Sequence, residues 1–265
     1  MNKEELKNLA ADPKHIPGIY NYCDRWCERC SFTSRCLNYK MSEEKFSDPE
    51  TQDASNEAFW EKLSETFQET LSLLKEMAEE QGIDLDSIEV DKEEQRRDIL
   101  DEDTVVHMIL HLSKSYISKV NDWFDNDIYH VGDAQDESTV EAYTFKIDSM
   151  SQEDTNMLKD SVEVIRWYQH QIYVKLRRAL SSANEEQTED WDDFPKDSDG
   201  SAKVALIGID RSISAWGKVL EYFPWQKNTL LTIIASLKHL CQMIEKDFPD
   251  ARSFVRPGFD EMDTG

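Results

Sequence analysis

The feature that most constrains how this chain folds is a helical repeat of apolar residues in four long stretches. In the first stretch, Ile109, Tyr116 and Val120 fall on one face of a helix. The four stretches are residues 103–124, 151–180, 201–223 and 227–248. This spacing is typical of amphipathic α-helices that bury one face. The sequence therefore predicts an all-α protein in which these helices form an antiparallel bundle.

A further helix is predicted between residues 54 and 81, so we expect about four to five long helices in all. Gly82 follows its last apolar residue and is placed to end the helix. The apolar stripe consists of Phe59, Leu63, Phe67, Leu71, Leu74 and Ala78. Glutamate and lysine cover the opposite side, which is the usual pattern of a surface helix.

The remaining segments are predicted to be irregular. Residues 184–200 are rich in Asp and Glu and predict a solvated, mobile loop. Residues from 249 onward predict an extended or disordered tail. Glycines are too few, and alternating runs too short, to predict a sheet. We therefore expect two parts, a cysteine-rich segment at 1–45 and an acidic helical bundle at 46–265.

Four of the five cysteines lie in one short segment, in the pattern C-x3-C-x2-C-x5-C. They are Cys23, Cys27, Cys30 and Cys36. The beginning of the chain shows no signal-peptide pattern, and no apolar run is long enough to cross a bilayer. We therefore expect a cytoplasmic protein in a reducing compartment. Clustered cysteines there bind metal or do redox chemistry more often than they form disulfides.

Charge in the cysteine segment also favours a metal. Thiolates this close in sequence repel one another unless a cation binds them. Arg25, Arg29 and Arg35 alternate with the cysteines and would offset the remaining negative charge. We therefore predict that all four cysteines of the segment bind one metal centre.

The spacing of the cysteines favours an iron–sulfur cluster over zinc. Structural zinc sites usually take two separated pairs of ligands, whereas only Cys27 and Cys30 form a C-x2-C pair here. Supply of the ligands from a single loop is commoner for [4Fe–4S] clusters. The sequence predicts a [4Fe–4S] cluster, with zinc as the alternative.

Two partial resemblances point to the same cofactor. The first three cysteines, in C-DRW-C-ER-C, resemble the cluster motif of radical S-adenosylmethionine enzymes. The last three, in C-ER-C-SFTSR-C, resemble the end of the cluster loop in endonuclease III-type DNA glycosylases. Both resemblances imply a [4Fe–4S] cluster on these cysteines. Neither extends beyond the loop, because the chain lacks the β/α-barrel pattern of the first family and the helix-hairpin-helix of the second.

The net charge limits the partners. The chain of 265 residues carries a formal charge of -25, which disfavours nucleic acid and anionic membranes. Residues 1–40 hold seven Lys or Arg against five Asp or Glu, so the acid excess lies elsewhere. We expect a protein or electron-transfer partner, and the sequence leaves the oligomeric state open.

Histidines outside the cysteine segment give a weaker metal signal. His107 and His111 lie one helical turn apart, a spacing that can bind zinc. The general-base glutamate of an H-E-x-x-H motif is missing between them. We interpret the pair as part of an exposed or packed helix face.

The bundle itself offers few polar groups for a site. Glu163, His170 and Asp210 are the plausible inward ones, and no Glu-x-x-His motif of a di-iron centre occurs. We interpret them as hydrogen-bonded groups within the packing. Cys241 lies on the apolar stripe of the last helix, so we expect it to be buried and not to bind the metal.

Two classes of function remain at this stage. In the first, the cysteines hold an iron–sulfur cluster, and the protein has a redox, sensing or cluster-dependent role. In the second, zinc stabilises an acidic helical scaffold that binds other proteins. Because residues 13–40 contain few aliphatic side chains, we expect their structure to depend on the metal.

Overall fold

The computed structural model describes residues 8–84, 104–128, 150–186 and 196–260. All regular secondary structure in these ranges is helical, which confirms the predicted all-α class. The long helices are α1 (Leu37–Lys45), α2 (Glu57–Glu80), α3 (Thr104–Asp122), α4 (Gln152–Glu186), α5 (Asp197–Tyr222) and α6 (Lys227–Asp247). Residues 8–10 are the described part of a further helix. None of these helices is long and apolar enough to cross a membrane.

The chain divides into two compact units. Unit 1 consists of Met1–Asp101 together with Pro257–Gly265, and unit 2 consists of Glu102–Arg256. This division differs from the boundary at residue 45 expected from composition. Helix α2 belongs to unit 1 and not to the bundle, and the end of the chain returns to unit 1.

Unit 2 is an antiparallel four-helix bundle. α4 packs against α3 and α5, and α6 packs against the same two helices. Side-chain hydrogen bonds give the direction of α3 against α6. Lys119 Nζ donates to Ser236 Oγ at 2.7 Å, and Trp123 Nε1 donates to Gln226 Oε1 at 2.9 Å. Trp123 follows Lys119 in the chain, but its partner Gln226 comes before Ser236. The two helices therefore run in opposite directions.

Aromatic residues form the centre of this bundle. The rings of Trp123 and Trp216 pack edge to face with centroids 4.9 Å apart, and both side chains are fully buried. Trp216 Nε1 donates a hydrogen bond to the buried hydroxyl of Tyr116 at 3.2 Å. Most of the apolar residues on the predicted stripe of α6 are buried, whereas Ile234 of the same stripe is half-buried. The buried ones are Leu230, Ile233, Leu237, Leu240 and Ile244.

The acidic loop between α4 and α5 is shorter than predicted. α4 continues to residue 186 and α5 begins at Asp197, so only residues 187–195 of the predicted loop 184–200 lie outside the described ranges. Asp197 accepts hydrogen bonds from Arg178 Nε at 3.0 Å and from Ser182 Oγ at 2.9 Å. These contacts fix the first turn of α5 against the end of α4.

In unit 1, helix α2 lies within the predicted range 54–81 but begins three residues later, at Glu57. Asn56 caps its first turn by accepting a hydrogen bond from the N–H of Ala58, and Gly82 ends it with a φ of 73°. One side of α2 contacts the rest of unit 1. Lys45 Nζ lies 2.8 Å from Glu69 Oε2, and the rings of Phe46 and Phe59 have centroids 6.2 Å apart.

The apolar stripe of α2 corrects the sequence interpretation. A surface helix usually buries such a stripe. Here Ala78 is the only buried residue of α2, Phe59 and Leu63 are half-buried, and Phe67, Leu71 and Leu74 are exposed. We call the exposed large apolar side chains of this helix the α2 stripe: Trp60, Phe67, Leu71, Leu74 and Met77.

Candidate metal centre

The cysteine segment is built from two short 3-10 turns. The first covers Cys27–Arg29 and the second covers Thr33–Arg35. Each turn is closed by the N–H of the cysteine that follows it, since Cys30 donates to the Cys27 carbonyl at 3.1 Å and Cys36 donates to the Thr33 carbonyl at 3.2 Å. Cys36 also stands at the N-cap position of α1. Local hydrogen bonds thus set the spacing of the last three cysteines.

A strained residue reverses the chain between the first two cysteines. Arg25 has a φ of 59° and is the only non-glycine residue with positive φ among those described. The N–H of Trp26 donates to Asp24 Oδ1 at 3.2 Å, which closes a turn of the type that Asp side chains favour. Backbone of this kind is costly and is found most often at functional sites.

All four cysteines of the segment line one cleft in unit 1. They are Cys23, Cys27, Cys30 and Cys36, and each is half-buried. The cleft has a free volume of about 20 Å³, enough for about one water molecule. No disulfide joins any of the five cysteines, all of which lie in the described ranges. The structure therefore brings these thiols to one narrow space.

The thiols in this cleft interact electrostatically. Burial raises the pKa of the Cys27 thiol, and the neighbouring Cys23 and Cys36 raise it further. Glu28 and Cys30 act in the same direction with smaller effects. A thiolate at Cys27 would lie beside the negative charges of these groups, so they favour its protonated form. A bound cation would reverse that balance.

Two hydrogen bonds reach the sulfur atoms. The N–H of Phe32 donates to Cys30 Sγ at 3.4 Å, and Cys23 Sγ donates to the Tyr20 carbonyl at 3.5 Å. The bond from Cys23 belongs to the protonated thiol and would be lost when Cys23 binds a metal.

Within the described ranges, no three or more His, Cys, Asp or Glu side chains are arranged so that they could hold a metal ion. A zinc ion needs its sulfur ligands about 2.3 Å from one point. The four thiols share a cleft but do not converge in this way.

Aromatic side chains form much of the remaining cleft wall, together with Ile19, Asp24, Arg25 and Thr33. Its aromatic members are Tyr20, Trp26, Phe32, Tyr39 and Phe259. The guanidinium of Arg29 lies 4.0 Å from the ring centroid of Trp26. Arg25, Arg29 and Arg35 are exposed on the same loop. The loop thus combines a largely apolar cleft with positive charge around it.

The C-terminal segment covers part of this loop, which the sequence analysis did not foresee. Gly258 has a φ of 74°, and a Cβ atom there would lie 2.8 Å from Ile16 Cδ1 and 3.1 Å from Ile19 Cδ1. Phe259 packs against Phe32 and lines the cleft. The tail predicted to be extended or disordered is therefore ordered through residue 260, and Pro257-Gly258 is the sequence signal for the turn that places it.

The same contacts correct the expectation that residues 13–40 depend on metal alone. Ile16 and Ile19 are buried, and the N–H of Ile16 donates to the Arg35 carbonyl at 3.0 Å. Unit 1 therefore has a small apolar core beside the cysteines, to which the C-terminal segment contributes.

The polar groups expected inside the bundle do not form a site. Glu163, His170 and Asp210 are all exposed. Asp210 Oδ2 instead pairs with Arg252 Nη1 at 2.6 Å, on the surface of unit 2. The expectation that these groups point inward is wrong, because their helix faces turn to solvent.

The remaining candidates also lie apart from any cluster of ligands. His111 is exposed, and the side chain of His107 lies outside the described part of the structure. Cys241 belongs to unit 2 and is half-buried, so the prediction that it is fully buried is wrong. Arg252 Nη2 donates to its sulfur at 3.4 Å. Burial raises the pKa of the Cys241 thiol.

Comparison of the chain with protein-family models, curated proteins and solved structures found no match in any of the three. The functional interpretation therefore depends on the geometry of unit 1.

Proposed function

We propose that unit 1 binds a [4Fe–4S] cluster through four cysteines, and that the protein has a redox, sensing or cluster-dependent role. The ligands would be Cys23, Cys27, Cys30 and Cys36. The observation that carries this proposal is that all four line one cleft of the same short loop. Thiolates are the usual protein ligands of such clusters.

The supply of all four thiolates by one short loop favours a cluster over a single zinc ion. Structural zinc sites usually take two separated pairs of ligands, whereas only Cys27 and Cys30 form a C-x2-C pair here. Single-loop supply is commoner for [4Fe–4S] clusters. The cleft is narrow, so binding requires the loop to open around the cluster.

The surroundings of the cleft suit a redox or sensing role. The four cysteines are half-buried and not fully enclosed, so small oxidants and a partner protein can come close to a bound cluster. N–H donors to sulfur, solvent exposure and net charge set the reduction potential of such clusters. The Phe32 N–H, which donates to Cys30 Sγ, is one such donor.

Metal and sulfide analysis of anaerobically purified protein tests the proposal. We expect about four irons and about four acid-labile sulfides per chain, with absorption near ~400 nm. Single Cys→Ser variants at the four positions should lose iron, whereas Cys241→Ser should keep it. A colourless protein with about one zinc per chain would replace the proposal with the zinc-stabilised scaffold. Full iron content in all four variants would show that the cleft is not the site.

A further inference from the structure

Helix α2 exposes a row of large apolar side chains. The exposed fractions are 58% for Trp60, 61% for Phe67, 58% for Leu71, 52% for Leu74 and 49% for Met77. Single exposed apolar residues are common, but a continuous row of large ones usually marks an interaction site. The opposite side of α2 contacts the rest of unit 1, and the stripe is the side of the helix that remains exposed.

The stripe has the repeat of a coiled coil. Apolar or small residues occur at positions 60, 64, 67, 71, 74 and 78, with alternating steps of four and three. This is the a and d pattern by which two helices pack side chains into one another. From 60 to 78 it spans five such steps, which is about 27 Å of helix.

We propose that α2 pairs with α2 of a second copy of this chain, in antiparallel orientation. When Phe67 of one copy faces Leu71 of the other, the helices are related by a two-fold axis between these residues. Ser64 then faces Leu74, so a large side chain meets a small one, as close packing requires. Trp60 reaches the end of the partner helix near Ala78, whose side chain is already buried in its own chain.

Charges at one edge of the stripe match the same register. Glu61 and Lys75 both lie on this edge, and both are exposed. The antiparallel pair places Glu61 of each copy beside Lys75 of the other, which gives two ion pairs by symmetry. Leu63 and Met77 face each other in the same way along the opposite edge. A two-fold axis brings the same surface of both copies together, so that surface must complement itself. Both edges of the stripe meet this requirement.

A parallel pair lacks this complementarity. Its symmetry would place Trp60 against Trp60 and Ser64 against Ser64, which combines the largest and the smallest residues of the stripe with themselves. Lys75 would lie near Thr70 of the other copy instead of near a carboxylate. Size and charge therefore both favour the antiparallel arrangement.

Sedimentation equilibrium of the full chain, purified with its native metal content, tests the proposal. We expect a monomer–dimer equilibrium in the micromolar range. Leu71→Glu should raise the dissociation constant by about a hundredfold or more, because it places a charge in the packed seam. Ser72→Glu adds the same charge at the next residue, outside the stripe, and should have little effect. A wild-type chain that stays monomeric, or a dimer that Leu71→Glu does not weaken, overturns the proposal.

Charge reversal tests the orientation separately. Glu61→Lys and Lys75→Glu should each weaken the dimer by roughly tenfold, because each turns two attractive contacts into repulsive ones. The double variant should regain the wild-type affinity, and an equimolar mixture of the two single variants should form a mixed dimer. Glu65→Lys, one turn away on the solvent side, is the matched control. No recovery in the double variant overturns the antiparallel register.

Discussion

The ring of Phe259 packs edge-on against the ring of Phe32, with centroids 5.0 Å apart. Phe32 lies between Cys30 and Cys36, whereas Phe259 is near the end of the chain. The contact therefore ties the C-terminal segment to the loop that carries the thiols. The loop gains stability from this contact whether or not a metal is bound.

Replacement of Phe259 should loosen the cysteine loop. Phe259→Ala removes the aromatic pair, which is worth about 0.5–1.5 kcal/mol, and opens one wall of the cleft. We expect faster loss of bound metal to a chelator and earlier proteolysis within residues 13–40. Val255→Ala changes an exposed side chain of unit 2 and is the control. Equal rates for the two variants would show that the tail does not support the loop.

Metal removal should affect unit 1 more than unit 2. Unit 2 has its own buried core, so its helices should persist in the apo protein and in the Cys27→Ser, Cys30→Ser double variant. The small core around Ile16 and Ile19 should keep unit 1 partly ordered. We expect hydrogen exchange to accelerate within residues 20–36 first, while helical circular dichroism falls only slightly. A wholesale loss of helix would contradict this account.

Two glycines of α5 should respond to alanine in opposite ways. At Gly208 an added Cβ would lie 2.9 Å from Tyr168 Cδ1 and 3.2 Å from Ile172 Cγ1. Gly208→Ala should therefore destabilise the bundle by about 1–3 kcal/mol. Nothing lies within 4 Å of a Cβ at Gly217, where alanine should stabilise the helix by about 0.5–1 kcal/mol. Urea unfolding followed by circular dichroism measures both, and destabilisation by Gly217→Ala would contradict the packing.

Alkaline pH should weaken the bundle through Tyr116. Burial raises the pKa of Tyr116 to about 12, while Tyr116 in the unfolded chain ionises near pH ~10. The folded form holds the proton more tightly, so this stabilisation is complete below about pH 10 and is lost as the pH rises towards about 12. By about pH 11 the free energy of unfolding should fall by about 1 kcal/mol more in the wild type than in Tyr116→Phe. If the free energy of unfolding falls equally with pH in the wild type and in Tyr116→Phe, then Tyr116 does not lose its proton on unfolding.

The bundle could be predicted from the sequence because its helices carry their own patterns. Leu230, Leu237 and Ile244 are seven residues apart, about two helical turns, and all three are buried. Ser151 and Asp154 are spaced as in a capping box, and the Asp154 N–H donates to Ser151 Oγ at 3.1 Å. Each of these signals lies within a few residues of chain, so local physics is enough to interpret it.

The long-range contacts could not be predicted in the same way. A single phenylalanine at 259 gives no signal that it will reach Phe32. The apolar stripe of α2 looks like any buried helix face, because periodicity shows that one side is apolar but not what covers it. The sequence predicts a buried Cys241 for a related reason. Its surroundings depend on Arg252, which follows α6 and donates a hydrogen bond to its sulfur.

Iron K-edge X-ray absorption of the anaerobically purified protein tests the central claim most directly. A [4Fe–4S] cluster on the four clustered cysteines predicts sulfur as the nearest neighbour of every iron, together with iron–iron scattering. Both signals should disappear in Cys27→Ser, Cys30→Ser and remain in Cys241→Ser. A protein that shows only a zinc edge with four sulfur neighbours, or an iron signal unchanged in the double variant, would contradict the account.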